Sequence, residues 1–249
     1  MHPTSTASNP LFDRDFLLAT MMGPNCVRFA EELTANIPLS PNMRVLDLGC
    51  GMGLSSIYLA RTFGVRVFAV DLWINPSDNF ARFRDFGLED AVIPLRAEGH
   101  ALPFAEGYFD AVICIDAYHS FGCAPEYLDA HIVPLVKPGG FIAAAIPGLR
   151  QEFTGDIPDE LRPYWKEDIN FHSAGWWAEL WKQSTRAALR DAFSLRSHKA
   201  AWEDWLQCDN PYAQRDAGMM EKAGWRYFDS IGIIATVSPA ACSEPYLLL

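Results

Sequence analysis

Val45-Leu46-Asp47-Leu48-Gly49-Cys50-Gly51-Met52-Gly53 is the stretch on which the fold turns. Its front, Arg44–Leu48, reads as a buried strand; the amphipathic run behind it, Leu54–Phe63, reads as a helix. Between them glycine stands at alternate positions. Such glycines permit positive φ and let a ligand approach the backbone where a Cβ would stand in the way. The spacing GxGxG differs from GxGxxG, the dinucleotide fingerprint that sets a helix N-terminus against a pyrophosphate. Asp71 ends the next strand pattern, twenty residues after Gly51, where a carboxylate can accept both hydroxyls of a ribose. Asp47 sits inside the first strand, and a buried acid there would be odd without a cationic partner.

Outward from this stretch, β-branched runs alternate with helical ones. Residues 65–70 read as a strand, 77–86 as a helix with Ser77 as its N-cap, and 91–95 as a strand. A strand over 108–115, a helix over 125–136 and a strand over 140–146 follow. Strands separated by helices of about ten residues mark a doubly wound parallel sheet. The unbroken apolar run Ala111-Val112-Ile113-Cys114-Ile115 fits a strand buried on both faces. Ahead of the first strand, residues 1–10 read as a loose tail and 13–37 as a helix broken at Gly23-Pro24. After Pro147 the pattern weakens. Residues 148–172 read as a long loop or lid, 174–189 as a helix and 193–200 as a strand. Short helices over 202–207 and 213–223 flank a turn at Asp209-Asn210-Pro211, and 230–237 closes as a strand.

The chain has 249 residues, half of them apolar and a fifth charged, which suits one α/β domain with additions and excludes a disordered polyelectrolyte. Its net charge of −11 speaks against a nucleic-acid partner, whose phosphates are bound by Lys and Arg. Residues 1–149 hold 9 basic and 16 acidic groups and residues 150–249 hold 11 and 15, so neither part is a basic arm. The six cysteines form no CxxC pair, and their mostly apolar settings suit reduced thiols of a cytoplasmic protein. The first nine residues lack the form of a secretion signal, and no run nears the ~20 apolar residues of a membrane span. The histidines show no i, i+4 pair and no cysteine partner at zinc-ligand spacing, so no metal is expected. Seven of the eight tryptophans lie beyond residue 160, which assigns the two parts of the chain different work.

Five blocks, in order, resemble the class I S-adenosylmethionine-dependent methyltransferases, in particular their small-molecule group of the methyltransferase domain 11/25 type. VLDLGCGMG at 45–53 is similar to that family's first motif and FAVDLW at 68–73 to its second. Glu98-Gly99-His100-Ala101-Leu102-Pro103-Phe104 is similar to its D-A-x-x-L-P-F segment. FDAVICIDAYHSF at 109–121 resembles the fourth strand and its loop, and Leu135-Val136-Lys137-Pro138-Gly139-Gly140 the turn into the fifth. The resemblance covers residues 40–150. It implies a Rossmann-like, doubly wound, mostly parallel seven-stranded sheet with an antiparallel last strand and helical lid insertions. Residues 1–40 would then be an N-terminal helical lid and 41–150 the cofactor core. Residues 151–249 would be the C-terminal part of the same domain, with a Trp-rich lid and closing strands.

The resemblance further implies S-adenosylmethionine as cofactor and S-adenosylhomocysteine as product. Gly49, Cys50 and Gly51 would lie under the methionine part, mainly through backbone, and Asp47 would help bind its amino group. Asp71 would take the ribose and Leu72 would pack on the adenine. Glu98, in place of the family's Asp, would reach the adenine amino group, with Gly99 offering a backbone N–H. Asp116 and Ala117 would face the methionine and the sulfonium.

In an open α/β sheet the ligand lies beyond the carboxyl ends of the strands. Asp116-Ala117-Tyr118-His119 falls on that edge, so Tyr118 and His119 are the catalytic candidates. His119, of ordinary pKa ~6.5, could take a proton from the nucleophile or only hydrogen-bond its loop; in-line placement alone also promotes methyl transfer. The aromatic C-terminal part suggests an apolar cover or a cation–π site. Trp177 and Trp181, four apart, suit the core face of one helix; Trp177 is carried with Trp202 and Trp205 as a pocket residue, and Met22 and Asn25 would close the other side. Asn210-Pro211-Tyr212 resembles the Asn-Pro-Pro-Tyr signature of planar-amine methylation but lies almost a hundred residues from its place, and reads as a turn. The expected function is methyl transfer to an O, N, S or C nucleophile of a small molecule, with no nucleic-acid or membrane partner and a homodimer left open. Methylation of a protein, or cofactor binding by a regulatory protein without turnover, remain the alternatives.

Overall fold

The run Arg44–Leu48 is strand β1 and lies inside a seven-stranded sheet. In this computed structural model residues 11–166 and 169–239 are described; the tail expected over residues 1–10, and Cys242, lie outside them. The other strands are β2 (Arg66–Asp71), β3 (Val92–Arg96), β4 (Phe109–Ile115), β5 (Val136–Leu149), β6 (Ala187–Ser194) and β7 (Phe228–Val237). Their order is β3-β2-β1-β4-β5-β7-β6. β1 to β5 pair in parallel, and β7 runs antiparallel to both β5 and β6. The chain winds outward from β1 to β3, then crosses back to set β4 beside β1. That reversal opens a crevice at the carboxyl ends of β1 and β4.

Alternate residues of each strand feed two cores. Val45, Val67, Ala111 and Ile113 face one side, where α2 (Cys26–Thr34), α3 (Leu54–Phe63) and α4 (Pro76–Asp85) bury Phe29, Ile57 and Phe83. Leu46, Leu48, Phe68 and Val112 face the other, against Ile132 and the tryptophans of α5 (Ala174–Trp181). The period of two in a sheet covered on both faces makes central runs such as Ala111–Ile115 apolar throughout. α1 (Arg14–Thr20) precedes the Gly23-Pro24 break. α6 (His198–Trp205) and α7 (Pro211–Met219) form the wall beside α2, tied by Asn25 N–H to the Ala201 carbonyl (3.0 Å) and Arg28 Nε to Asp204 (2.6 Å). No helix among the described residues is long and apolar enough to cross a membrane.

Five expectations are corrected. α4 begins at Pro76, and its cap is Asn75, whose side chain accepts from Ser77 N–H at 3.0 Å; Ser77 lies within the first turn. Proline fits there because the first helical N–H has no intrahelical partner. The helix expected over 125–136 is only a π turn at Leu128–Ile132 and a 3-10 turn at Val133–Leu135, since Pro134 cannot continue a helix. The helix expected over 174–189 stops at Trp181, because Asp129 captures Ser184 Oγ and the Thr185 N–H (2.9 Å) and turns the chain out. The strand expected at 193–200 is therefore early: β6 ends at Ser194 and α6 starts at His198. Last, Asn210-Pro211 is a helix start, with Asn210 Oδ1 accepting from Tyr212 N–H at 2.9 Å.

Candidate active site

Beyond β1 the chain turns through Gly49 (φ 77°), Gly51 (φ 53°) and Gly53 (φ 89°). A Cβ on Gly49 would stand 2.3 Å from Ala117 Cβ, so both dihedral and space require glycine there. The N–H groups of Gly49 and Cys50 donate to the Val70 carbonyl at 2.8 and 3.0 Å and hook the loop onto β2. Gly51 N–H donates to Asp71 Oδ2 at 2.9 Å, while Asp71 Oδ1 accepts from Trp73 and Ile74 N–H at 2.8 and 3.0 Å. A carboxylate has about four acceptor positions. Three are used, which leaves room for one further hydroxyl rather than two.

Asp47 is fully buried, and its partners are hydroxyls rather than a cation: Ser55 and Ser56 of α3 both donate to Oδ2 at 2.6 Å. Oδ1 has no partner. Burial pushes this carboxyl up to about 6, against the lowering effect of the two serines. Burial also raises the nearby thiols, Cys26 to about 12 and Cys50 well above its usual range, so neither is a thiolate nucleophile near neutrality.

A cavity of about 500 Å³ runs along the carboxyl ends of these strands. Gly49, Cys50, Gly51, Asp71 and Leu72 line it, together with Glu98 and Gly99. Glu98 is half-exposed and pairs with His100 Nδ1 at 2.6 Å, which holds its carboxyl below the usual range. Tyr127 Oη donates to the Gly99 carbonyl at 2.9 Å and fixes that turn. Asp116, Ala117, His119, Met22 and Trp202 line the cavity as well, Ala117 standing against Gly49 and Met22 against Gly51.

Asp116 adopts φ 57°, a left-handed conformation that Asp tolerates better than most residues. Its backbone N–H donates to the Ala145 carbonyl at 2.8 Å. Gly23 packs on its carboxylate so closely that a Cβ would lie 2.2 Å from Oδ2. Burial, and then the charge of Asp216, push Asp116 up to about 7. His119 is half-buried, its Nδ1 has no partner, and burial pulls its pKa down to about 4. The imidazole is neutral at physiological pH.

Five candidate residues do not line this cavity, the fully buried Asp47 among them. Tyr118 points into the core on the far face of the sheet, its ring 5.8 Å from Trp177 and 5.3 Å from Trp181. Trp177 is fully buried in that same core. Trp205 is buried beside α7, its indole N–H donating to Asp216 Oδ2 at 3.0 Å. Asn25 caps α2 by accepting from Val27 N–H at 3.1 Å, and its amide donates to Asp204 at 2.7 Å. For the aromatic residues the reason is that a large side chain buries most area in the core, and composition does not say which tryptophan has that place. Conversely, Asp216, Phe171, Trp73 and His100 line the cavity without having been singled out as site residues. Trp73 follows Asp71 and His100 follows Glu98, signals that adjacency offered. Asp216 is one acid on an ordinary short helix and has no sequence signature.

Comparison with known proteins fits this geometry. Residues 46–144 match the family described as a methyltransferase domain. The methyltransferase GfsG of Streptomyces halstedii is 30% identical over 119 residues, 47% of this chain and 42% of that protein. A glycine/sarcosine/dimethylglycine N-methyltransferase of Actinopolyspora halophila is 28% identical over 139 residues, 54% of this chain and 24% of its own length. The chain thus spans under half the length of these two relatives. Among solved structures, a geranyl diphosphate C-methyltransferase from Streptomyces coelicolor A3(2), with Mg²⁺, geranyl diphosphate and S-adenosyl-L-homocysteine, matches with a TM-score of 0.68 at 19% identity, over 84% of this chain and 76% of that one. At that identity the likeness shows the fold.

Proposed function

We propose, on the match of residues 46–144 to a methyltransferase domain, that this chain is a class I S-adenosylmethionine-dependent methyltransferase and that it transfers a methyl group to a nucleophilic atom of a small molecule. One observation carries the reading: a glycine-rich loop clamped to Asp71 along a cavity that side chains from other segments also border. The residues fit S-adenosylmethionine. Gly49 and Gly51 bare the backbone under its methionine part, and the unpartnered Asp47 Oδ1 suits its amino group, directly or through water. Asp71 keeps an acceptor position for the ribose. Leu72 and Trp73, 41% and 74% exposed at the cavity wall, offer apolar surface that an adenine would cover, with Glu98 and Gly99 at its edge. Asp116 and Ala117 would border the methionine and the sulfonium.

Bound there, the cofactor supplies a methyl on a positively charged sulfur, open to in-line displacement. The chain supplies placement, exclusion of water and a destination for any proton. A cavity of about 500 Å³ falls within the ~300–1,000 Å³ of small-molecule sites. His119 stays neutral, but a group pulled down to about 4 is a weak proton acceptor near pH 7; Asp116, pushed up to about 7, is better matched. Thr20, Met22, Gly23, Pro24 and Cys26 before the 41–150 platform, and Phe171, Trp202 and Asp216 after it, serve as walls, and the raised thiols of Cys50 and Cys114 suit a reducing cytoplasm.

Titration calorimetry with S-adenosylmethionine and S-adenosylhomocysteine tests this reading. One site per chain for each is expected, followed by label transfer to a small-molecule acceptor. Absence of binding for both ligands sinks it. Binding with no transfer to any member of a broad acceptor panel would favour a regulatory protein instead.

A further inference from the structure

Part of the cavity wall is acidic and aromatic beyond what cofactor binding requires. Asp116 arrives there from the end of β4 and Asp216 from α7, and both line the chamber. They lie close enough that the charge of Asp216 raises the Asp116 carboxyl. Asp216 is held in place by the Trp205 indole N–H at 3.0 Å, and Arg215 meets its other oxygen at 3.3 Å from a half-exposed position. Phe171 and Trp202 complete the wall. Trp202 is only 4% exposed, yet its indole N–H has no hydrogen-bond partner. A buried donor left unpaired is costly, and here it belongs to a side chain that lines the chamber.

The sign of the charge is one-sided. The described residues lining the whole cavity include four carboxylates, Asp71, Glu98, Asp116 and Asp216, and no Lys or Arg. An anionic acceptor brought against them would lose hydration and gain no counter-charge. A bridging cation does not rescue it, because no group of three or more metal-ligating side chains gathers among the described residues. An ammonium group meets the reverse situation: a carboxylate on either side and aromatic faces that attract cations.

We propose that Asp116 and Asp216, walled by Trp202 and Phe171, form the seat of a cationic amine, so that the methyl acceptor is an amine without a phosphate or carboxylate near its reacting nitrogen. The proposal rests on the methyltransferase reading and narrows its acceptor. Asp116 also borders the place given to the sulfonium; Asp216 lies outside every cofactor motif and is the residue that separates the two demands.

The test uses the full chain saturated with S-adenosylhomocysteine, and calorimetry near pH 7.5 with two series of probes. Each series keeps one ring and changes only the charge: tryptamine, tryptophol and indole-3-acetate, then phenethylamine, phenethyl alcohol and phenylacetate. In at least one series the amine is expected to bind tenfold or more tighter than the alcohol, and the carboxylate weakest. Asp216→Asn, which keeps an acceptor for the Trp205 N–H, is expected to erase most of that preference while S-adenosylhomocysteine binds as before. Equal affinities within both series, failure of both amines to bind, or a carboxylate that binds best overturns the proposal, and wild-type protein alone decides this if the variant does not fold. A variant that keeps the amine preference, or that loses S-adenosylmethionine affinity in its place, overturns it too. Should S-adenosylhomocysteine itself not bind, the methyltransferase reading fails and this inference with it; should it bind with no charge preference, only this inference fails.

Discussion

Two parts of one cavity wall are built by opposite means. At the glycine loop the backbone does most of the work: Gly49 and Cys50 hook onto Val70, and the Gly51, Trp73 and Ile74 N–H groups converge on Asp71. In the other part side chains from four separated segments contribute to the wall, Asp116, Phe171, Trp202 and Asp216. A site made of backbone needs particular φ angles at consecutive residues, and therefore a short contiguous motif. A site made of side chains needs only that distant segments pack together.

The largest effect expected marks the boundary between core and pocket. Trp177→Ala should destabilise the fold by ~3–5 kcal/mol, the usual cost of emptying a buried aromatic position, measured by denaturant unfolding. A mild stability loss with impaired ligand binding would return Trp177 to the pocket and blur the division. Next comes Gly49→Ala, which adds a Cβ at φ 77° and 2.3 Å from Ala117 Cβ. Its affinity for S-adenosylhomocysteine should fall at least about a hundredfold, ~2.7 kcal/mol; a change under threefold would mean that the loop does not cradle the ligand. Asp71→Ala should cost at least tenfold in the same titration, ~1.4 kcal/mol. Unchanged affinity would show that Asp71 only ties the two loops together.

The smallest effect concerns pH. Asp116 is pushed up to about 7 from an ordinary 3.8, so the folded chain holds this proton more tightly than the unfolded chain does. Its contribution to stability is full below about 4 and is lost as pH rises through about 7. Asp116→Asn removes that loss. The variant should melt above wild type at pH 8, and the gain should vanish by pH 4. His119 and His198, both pulled down to about 4 by burial, act in the opposite sense between about 4 and 6.5, but they are common to both proteins and drop out of the difference. A variant equally stabilised at pH 4 and pH 8 would show that strain at φ 57°, rather than charge, is what Asp116 costs.

The sequence was legible where local chemistry is obligatory. β1 and α3 take the expected bounds, Arg44–Leu48 and Leu54–Phe63, because a buried strand, obligatory glycines and an apolar helix face all speak there at once. The parallel sheet followed from the same alternation. Legibility faded after β5. β6 is an edge strand with a register shift between Leu189 and Asp191, and its exposed Arg190 and Asp191 mask a period of two. The α5 boundary depends on Asp129, fifty-five residues away from Ser184, which no local pattern contains. The tryptophans misled for a related reason. The core face expected for Trp177 and Trp181 is there, whereas Trp205, expected in a lid, is core as well and Trp202 alone of the three pocket candidates reaches the cavity. Asp216 carries no local signal at all, since its importance comes from the element it faces.

The most direct measurement is a crystal structure of the protein with S-adenosylhomocysteine. The account predicts a ribose hydroxyl on Asp71, the adenine over Leu72 and Trp73, the amino acid part against Gly49–Gly51, and the sulfur turned toward Asp116, with the space before Asp216 and Trp202 left for the acceptor. A ligand that sets its adenosine against Asp216, or that leaves Asp71 untouched, would contradict the division of the cavity wall into a backbone-built cofactor part and a side-chain-built acceptor part.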